Sequence, residues 1–195
     1  MNSLANLFAR VPRPILFALA GLIQLGLIAA MVIDRASILR EGTEVTLQTR
    51  PVDPRDFLRG DYVVLSYEIS SVPTGEMKGK FAESRPSTVF VKLAPKDYGF
   101  YGVVSVHLDR VPVTGKEILI QGRVANSRWW SGNWDVLFIR YGLESFFVPQ
   151  GEGRELEQVR NQGKLSIVAA VAPSGRAAIK RLLIDGKPVY DEPLF

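Results

Sequence analysis

The first pattern along the chain is an unbroken apolar run, Pro14 to Ile33, in which Gln24 is the one strongly polar side chain. At 1.5 Å of rise per residue, a helix of that length spans about 30 Å, the hydrocarbon thickness of a bilayer. A core helix of similar length would show a polar face, and this stretch shows none. The pattern therefore predicts a transmembrane helix over 14–33. A cleavable leader would have a shorter apolar region, roughly 7–15 residues, and then a small-x-small site. Asp34-Arg35-Ala36 is not such a site, so the helix reads as an uncleaved signal-anchor. Arg10 and Arg13 lie on its N-terminal side with no acidic residue among them. Long domains translocate largely regardless of charge. Residues 1–13 are accordingly expected to be cytoplasmic and the domain after the helix extracytoplasmic.

Beyond a connection over 34–42 the pattern changes to short alternating runs. Strands are predicted at Thr43–Thr49, Tyr62–Ser70, Thr88–Leu93, Gly102–Leu108, Glu117–Val124, Trp134–Tyr141, Leu165–Val171, Ala177–Ile184 and Lys187–Tyr190. Turn signals separate them, among them Ala94-Pro95-Lys96-Asp97, Ser131-Gly132-Asn133 and Pro173-Ser174-Gly175. Asp185-Gly186 is the sharpest, a two-residue type I′ hairpin signal. Gly153–Asn161 is rich in helix formers and places Leu156 and Val159 on one face. The expected fold is mainly β: a sandwich or partly open barrel of roughly 8–10 strands with one short helix, occupying residues 43–195 and preceded by the membrane helix.

Composition narrows the chemistry. The 195 residues contain no cysteine and one histidine, His107. Disulfides, thiol catalysis, cysteine metal sites and a histidine cage within one chain are excluded together. The net charge of +4 is split evenly between residues 1–35 and the remainder, with no block of like charge. A phosphate-binding footprint is missing, and no nucleic-acid partner is expected.

One strand start carries a more specific signal. In Arg59-Gly60-Asp61-Tyr62-Val63-Val64-Leu65-Ser66-Tyr67, alternation puts Val63, Leu65, Tyr67 and Ile69 on a core face and Tyr62, Val64, Ser66 and Glu68 on the other. Tyr67 is then buried by its ring, with a hydroxyl that needs a partner. Gly60 suits a tight approach before the strand, and Asp61 can accept backbone hydrogen bonds there. Gly60, Asp61, Tyr62, Leu65 and Tyr67 fill every fixed position of the pattern that names the bacterial GDYXXLXY family. The run from Tyr141, Gly142, Leu143 and Glu144 to Pro149, about 80 residues on, also resembles that family. The resemblance implies an N-terminal membrane helix, a bacterial inner-membrane location and a multi-spanning membrane protein as partner. It implies no chemistry. A second resemblance, to membrane-anchored signal peptidases, fails because residues 43–60 contain no serine to act as nucleophile.

All three tryptophans fall in Arg128-Trp129-Trp130-Ser131-Gly132-Asn133-Trp134. Tryptophan in a loop is buried, sits at a membrane interface or forms a binding surface. The expected function is thus a membrane-anchored binding or assembly component. Its contacts are the bilayer, through residues 14–33, and a membrane protein partner. The candidate residues are Arg59, Gly60, Asp61, Tyr62, Leu65, Tyr67, Arg128, Trp129, Trp130, Trp134, Tyr141, Gly142 and Glu144. No cofactor, metal or catalytic residue is nominated. The alternative is an envelope-associated hydrolase with a carboxylate and tyrosine site near the Gly60-Asp61-Tyr62 motif.

Overall fold

A computed structural model describes residues 12–51, 62–79, 81, 86–125, 136–147 and 153–193. The chain divides into two units, one ending at Ser37 and the other beginning at Ile38. The described part of the first is helical from Arg13 onward. Helix α1 runs from Arg13 to Glu41 and is long and apolar enough to cross a membrane. Its large side chains are exposed, Phe17 by 77% and Met31 by 73%.

Most of the expected connection over 34–42 is helical too: the helix continues to Glu41, and Gly42 is the joint before the first strand. No proline or glycine interrupts the chain between Ile33 and Gly42, and the Ser37 hydroxyl donates to the Asp34 carbonyl at 2.8 Å. Polarity ends the apolar segment at Asp34, but nothing there ends the helix. Its last turn belongs to the second unit, where Ile38 and Leu39 pack on Ala170 and Ala178.

The second unit is built from strands. In chain order these are β1 (Thr43–Arg50), β2 (Tyr62–Val64), β3 (Ser66–Tyr67), β4 (Ser71–Pro73), β5 (Met77–Lys78), β6 (Thr88–Pro95) and β7 (Tyr101–His107). There follow β8 (Ile118–Val124), β9 (Val136–Arg140), β10 (Ser145–Phe147), helix α2 (Gly153–Asn161), β11 (Leu165–Val171), β12 (Ala177–Ile184) and β13 (Lys187–Asp191). They form a five-stranded sheet, β13-β12-β11-β1-β3, a six-stranded sheet, β4-β9-β8-β6-β7-β5, and a ribbon, β10-β2. One apolar core is shared by all three, from Leu47 and Ile167 through Val91 and Ile120 to Val63 and Phe146. The arrangement is barrel-like and nearly closed.

Strand β11 is buried at all seven positions because both of its faces are covered. Leu165, Ile167, Ala169 and Val171 enter the shared core, while Ala170 meets the last turn of α1. The β12–β13 hairpin turns at Asp185 (φ 50) and Gly186 (φ 77), the paired positive dihedrals of a type I′ turn. Leu156 and Val159 of α2 pack on the core as their spacing predicts. The long strand expected over Tyr62–Ser70 is instead broken into β2, β3 and a 3₁₀ turn at Glu68–Ser70.

Candidate functional site

That break is the centre of the motif region. Residues 62–73 and 136–147 run antiparallel. At one end Tyr62 faces Phe147, Val63 faces Phe146 and Val64 faces Ser145. At the other, Ser71 faces Phe138, Val72 faces Leu137 and Pro73 faces Val136. The residue offset is identical at both ends, so the two segments form one ladder opened in the middle. Within the opening, Ser66 and Tyr67 turn away to pair with β1, while Arg140 and Ile139 pair with β8. The ladder is the seam where the five- and six-stranded sheets part company.

Two tyrosines close the gap that the backbone leaves. The Tyr67 hydroxyl donates to the Leu143 carbonyl at 2.5 Å, and the Tyr141 hydroxyl donates to the Ile69 carbonyl at 2.7 Å. Each reaches across to the opposite segment. The Leu65 amide adds a bond to the Glu144 carbonyl at 2.8 Å. The Glu144 carboxylate then accepts from the amides of Tyr141 at 2.6 Å and Gly142 at 3.0 Å, holding the turn between β9 and β10. Gly142 has φ +78 there, a conformation that costs a side-chain-bearing residue about 1–2 kcal/mol. Burial, and then the nearby Glu144 charge, raise both phenols above their ordinary value, so both stay protonated donors.

An unforeseen residue braces the outer end of the ladder. Arg160, in the last turn of α2, is 1% exposed and donates to the Val64 carbonyl; its other donors meet Asn161 Oδ1 at 3.2 and 3.0 Å. Burial lowers its pKa, partly offset by Glu157. The signal in the sequence was position: Arg160 follows Leu156 by four residues and so lies on the buried stripe of the helix.

The structure thus brings together Leu65, Tyr67, Tyr141, Gly142 and Glu144 of the nominated residues. Tyr62 pairs with Phe147 through its backbone. Arg59, Gly60, Asp61, Arg128, Trp129, Trp130 and Trp134 lie outside the described residues. His107 shares the outward face of β7 with Ser105, whose hydroxyl is 2.8 Å from its Nε2. Partial burial, and then the charges of Lys92 and Lys78, lower the imidazole pKa. The serine–histidine spacing would permit proton transfer. Among the described residues no acidic side chain hydrogen-bonds to that imidazole.

Beside the opened ladder lies a cleft of about 630 Å³ between β1, the 3₁₀ turns around β4, and the β6–β7 connection. Glu68, Glu76, Gln48, Lys96, Tyr98 and Tyr101 are among its lining residues. Glu68 stands between Tyr67 and Ile69, the donor of one cross-seam bond and the acceptor of the other. The motif tyrosines therefore fix the backbone that carries this wall of the cleft.

An apolar helix fit to be a single-pass anchor, followed by a nearly closed β domain with a tyrosine-stitched seam, defines the class of protein. The sequence profile of the GDYXXLXY protein family matches residues 24–182, and the chain belongs to that family. No curated protein and no solved structure matches it.

Proposed function

We propose that this protein is a membrane-anchored binding or assembly component that acts with a multi-spanning membrane protein. In this reading α1 is a signal-anchor in a bacterial inner membrane, and the β domain faces the periplasm. The observation that supports a non-catalytic role is how the motif side chains are used. Tyr67, Tyr141 and Glu144 are each committed to backbone groups of the seam. A hydrolase centred on the motif would need such groups directed at a substrate. The anchor would keep the domain at high local concentration beside a partner in the same bilayer. The Arg128–Trp134 segment has the aromatic and arginine composition of interface hot spots.

Purification of the full chain in mild detergent tests this reading. A multi-spanning membrane protein is expected to co-purify with the parent and to be reduced by Trp129→Ala and Trp134→Ala. Absence of any such protein from the parent overturns the assembly reading. A reporter active only in the cytoplasm, fused after Phe195, is expected to be silent; activity overturns the orientation.

A further inference from the structure

The cleft beside the seam carries three features that the fold does not require. The first is Tyr98. Its backbone is left-handed (φ 61, ψ 16) and its side chain is 97% exposed. A left-handed tyrosine costs about 1–2 kcal/mol relative to the ordinary helical conformation. Burial of the ring offsets none of it. Tyr98 and Asp185 are the two non-glycine residues with positive φ among the described residues, and each stands in a hairpin turn beside a left-handed glycine, Gly99 or Gly186; aspartate suits that backbone, whereas tyrosine does not. Strain of this kind concentrates at sites of function.

The second is Glu76. Its Oε2 is buried without a hydrogen-bond partner among the described residues. A desolvated acceptor without a donor is unfavourable by about 1–3 kcal/mol, or more when charged. The third is Lys96. Its stem lies where a Cβ on Gly102 would stand, so glycine at that position leaves a bed that keeps the lysine along the cleft. Lys96, Glu68 and Glu76 thus present a donor and two acceptors around the aromatic rings of Tyr98, Phe100 and Tyr101.

We propose that this cleft binds a neutral oligosaccharide. A pyranose ring has an apolar C–H face that stacks on tyrosine and an edge of hydroxyls that both donate and accept. The lining offers the complement of each. Charge disfavours an acidic ligand, which would meet Glu68 and Glu76, and with Lys96 as the one base among the described lining residues a cation is the competitor that spermidine tests below. A cleft of about 630 Å³ is of ordinary size for a small-ligand site. Tyr98 is the stacking platform, the exposed Glu68 on the cleft wall accepts from a ring hydroxyl, and the seam tyrosines act at one remove as positioning residues. The partner reading above stands or falls separately.

The test uses the full chain in lipid nanodiscs, because glycoside detergents would carry the ligand themselves. Triacetylchitotriose, cellotriose and maltotriose are titrated against protein bearing fluorinated tyrosine. At least one sugar is expected to saturate, shifting the resonances of Tyr98 and Tyr101. Tyr98→Ala is expected to weaken it about tenfold, the scale of a lost aromatic anchor. Tyr98→Phe should retain most of the affinity, and Glu68→Gln should weaken it less than Tyr98→Ala. The melting temperature of Tyr98→Ala should stay at or above the parent's, so that lost binding is not lost folding. The proposal is overturned if no sugar saturates, if Tyr98→Ala leaves binding unchanged, or if spermidine saturates the same resonances.

Discussion

The seam and the cleft use the same residue type in opposite ways. Tyr67 and Tyr141 are buried and hydrogen-bonded, and Tyr67 is set on ordinary extended backbone next to a turn. Tyr98 is almost wholly exposed on a left-handed backbone. In the seam, each phenol serves as a long reach of backbone: it satisfies a carbonyl that the opened ladder has deprived of its amide partner. At the cleft, the ring is offered outward at a cost to the fold. The seam tyrosines answer a demand of the protein interior, whereas Tyr98 answers to something outside it. That contrast is sharper than any difference in composition between the two regions, and it can be broken by mutation.

The largest effect should come from Tyr67→Ala. It removes a fully buried ring and leaves the Leu143 carbonyl without its donor, and losses for buried aromatic truncations are about 3–5 kcal/mol. Urea unfolding followed by circular dichroism would measure it. A loss below that of an ordinary surface change would mean that the seam is not a structural element. Tyr67→Phe keeps the ring and removes only the donor, so about 1–3 kcal/mol is expected.

Alkaline titration sharpens the same contrast without changing shape. The ordinary phenol value is 10.0, and both seam tyrosines are held above it. Below pH 10 they are protonated in both folded and unfolded chains, and their contribution is fully present. As pH rises further, the unfolded chain releases these protons while the native chain keeps them. Stability then falls by about 1.4 kcal/mol per pH unit for each tyrosine until its folded value is reached. Tyr67→Phe combined with Tyr141→Phe should flatten this slope, measured as the denaturation midpoint between pH 9 and pH 11. Tyr98→Phe should leave it untouched.

Much of this architecture was legible because it is local. Alternation alone placed Tyr67 inward beside Leu65, and burial then obliged its hydroxyl to find an acceptor. The type I′ turn followed from Asp185-Gly186, and α2 from its run of helix formers. The opening of the ladder was not legible. Alternation continues unbroken from Tyr62 to Ile69, and a departure into a second sheet depends on pairings with β1 and β10, far away in sequence. Tyr141 was nominated for its place in a motif, but its reciprocity with Tyr67 exists only once the two segments are in register. The cleft was hidden for a related reason. Gln48, Glu68, Glu76 and Lys96 come from four separate stretches, and Lys96 and Tyr98 stand at a plain turn signal. Nothing in that signal tells that Tyr98 turns left-handed. Helix α1 ran past Ile33 because hydropathy reports where lipid contact ends, and helices stop at backbone signals.

Gly142→Ala probes the turn that sets the spacing of the seam. Open space surrounds the position where the new Cβ would stand, so no steric clash with neighbours enters. What remains is the left-handed backbone at φ +78. The expected loss is about 1–2 kcal/mol, seen as a lower denaturation midpoint with an unchanged m-value. A larger loss accompanied by weaker sugar binding would show that the turn transmits its geometry through Ile69 to Glu68.

Tyr98→Gly gives the smallest change, and its sign matters more than its size. Glycine tolerates the left-handed backbone, which recovers about 1–2 kcal/mol of strain. Against this, a glycine adds freedom to the unfolded chain worth about 0.5–1 kcal/mol. The exposed ring contributes no burial to lose, its side chain being 97% accessible. The balance is a gain of a few tenths to about 1 kcal/mol, read as a raised denaturation midpoint. The same substitution removes the stacking platform, so stability should rise while sugar affinity falls. A residue that served only the fold could not give both results. A loss of stability would instead mean that the Tyr98 ring packs against the domain in solution, and the distinction between an inward-facing seam and an outward-facing cleft would collapse.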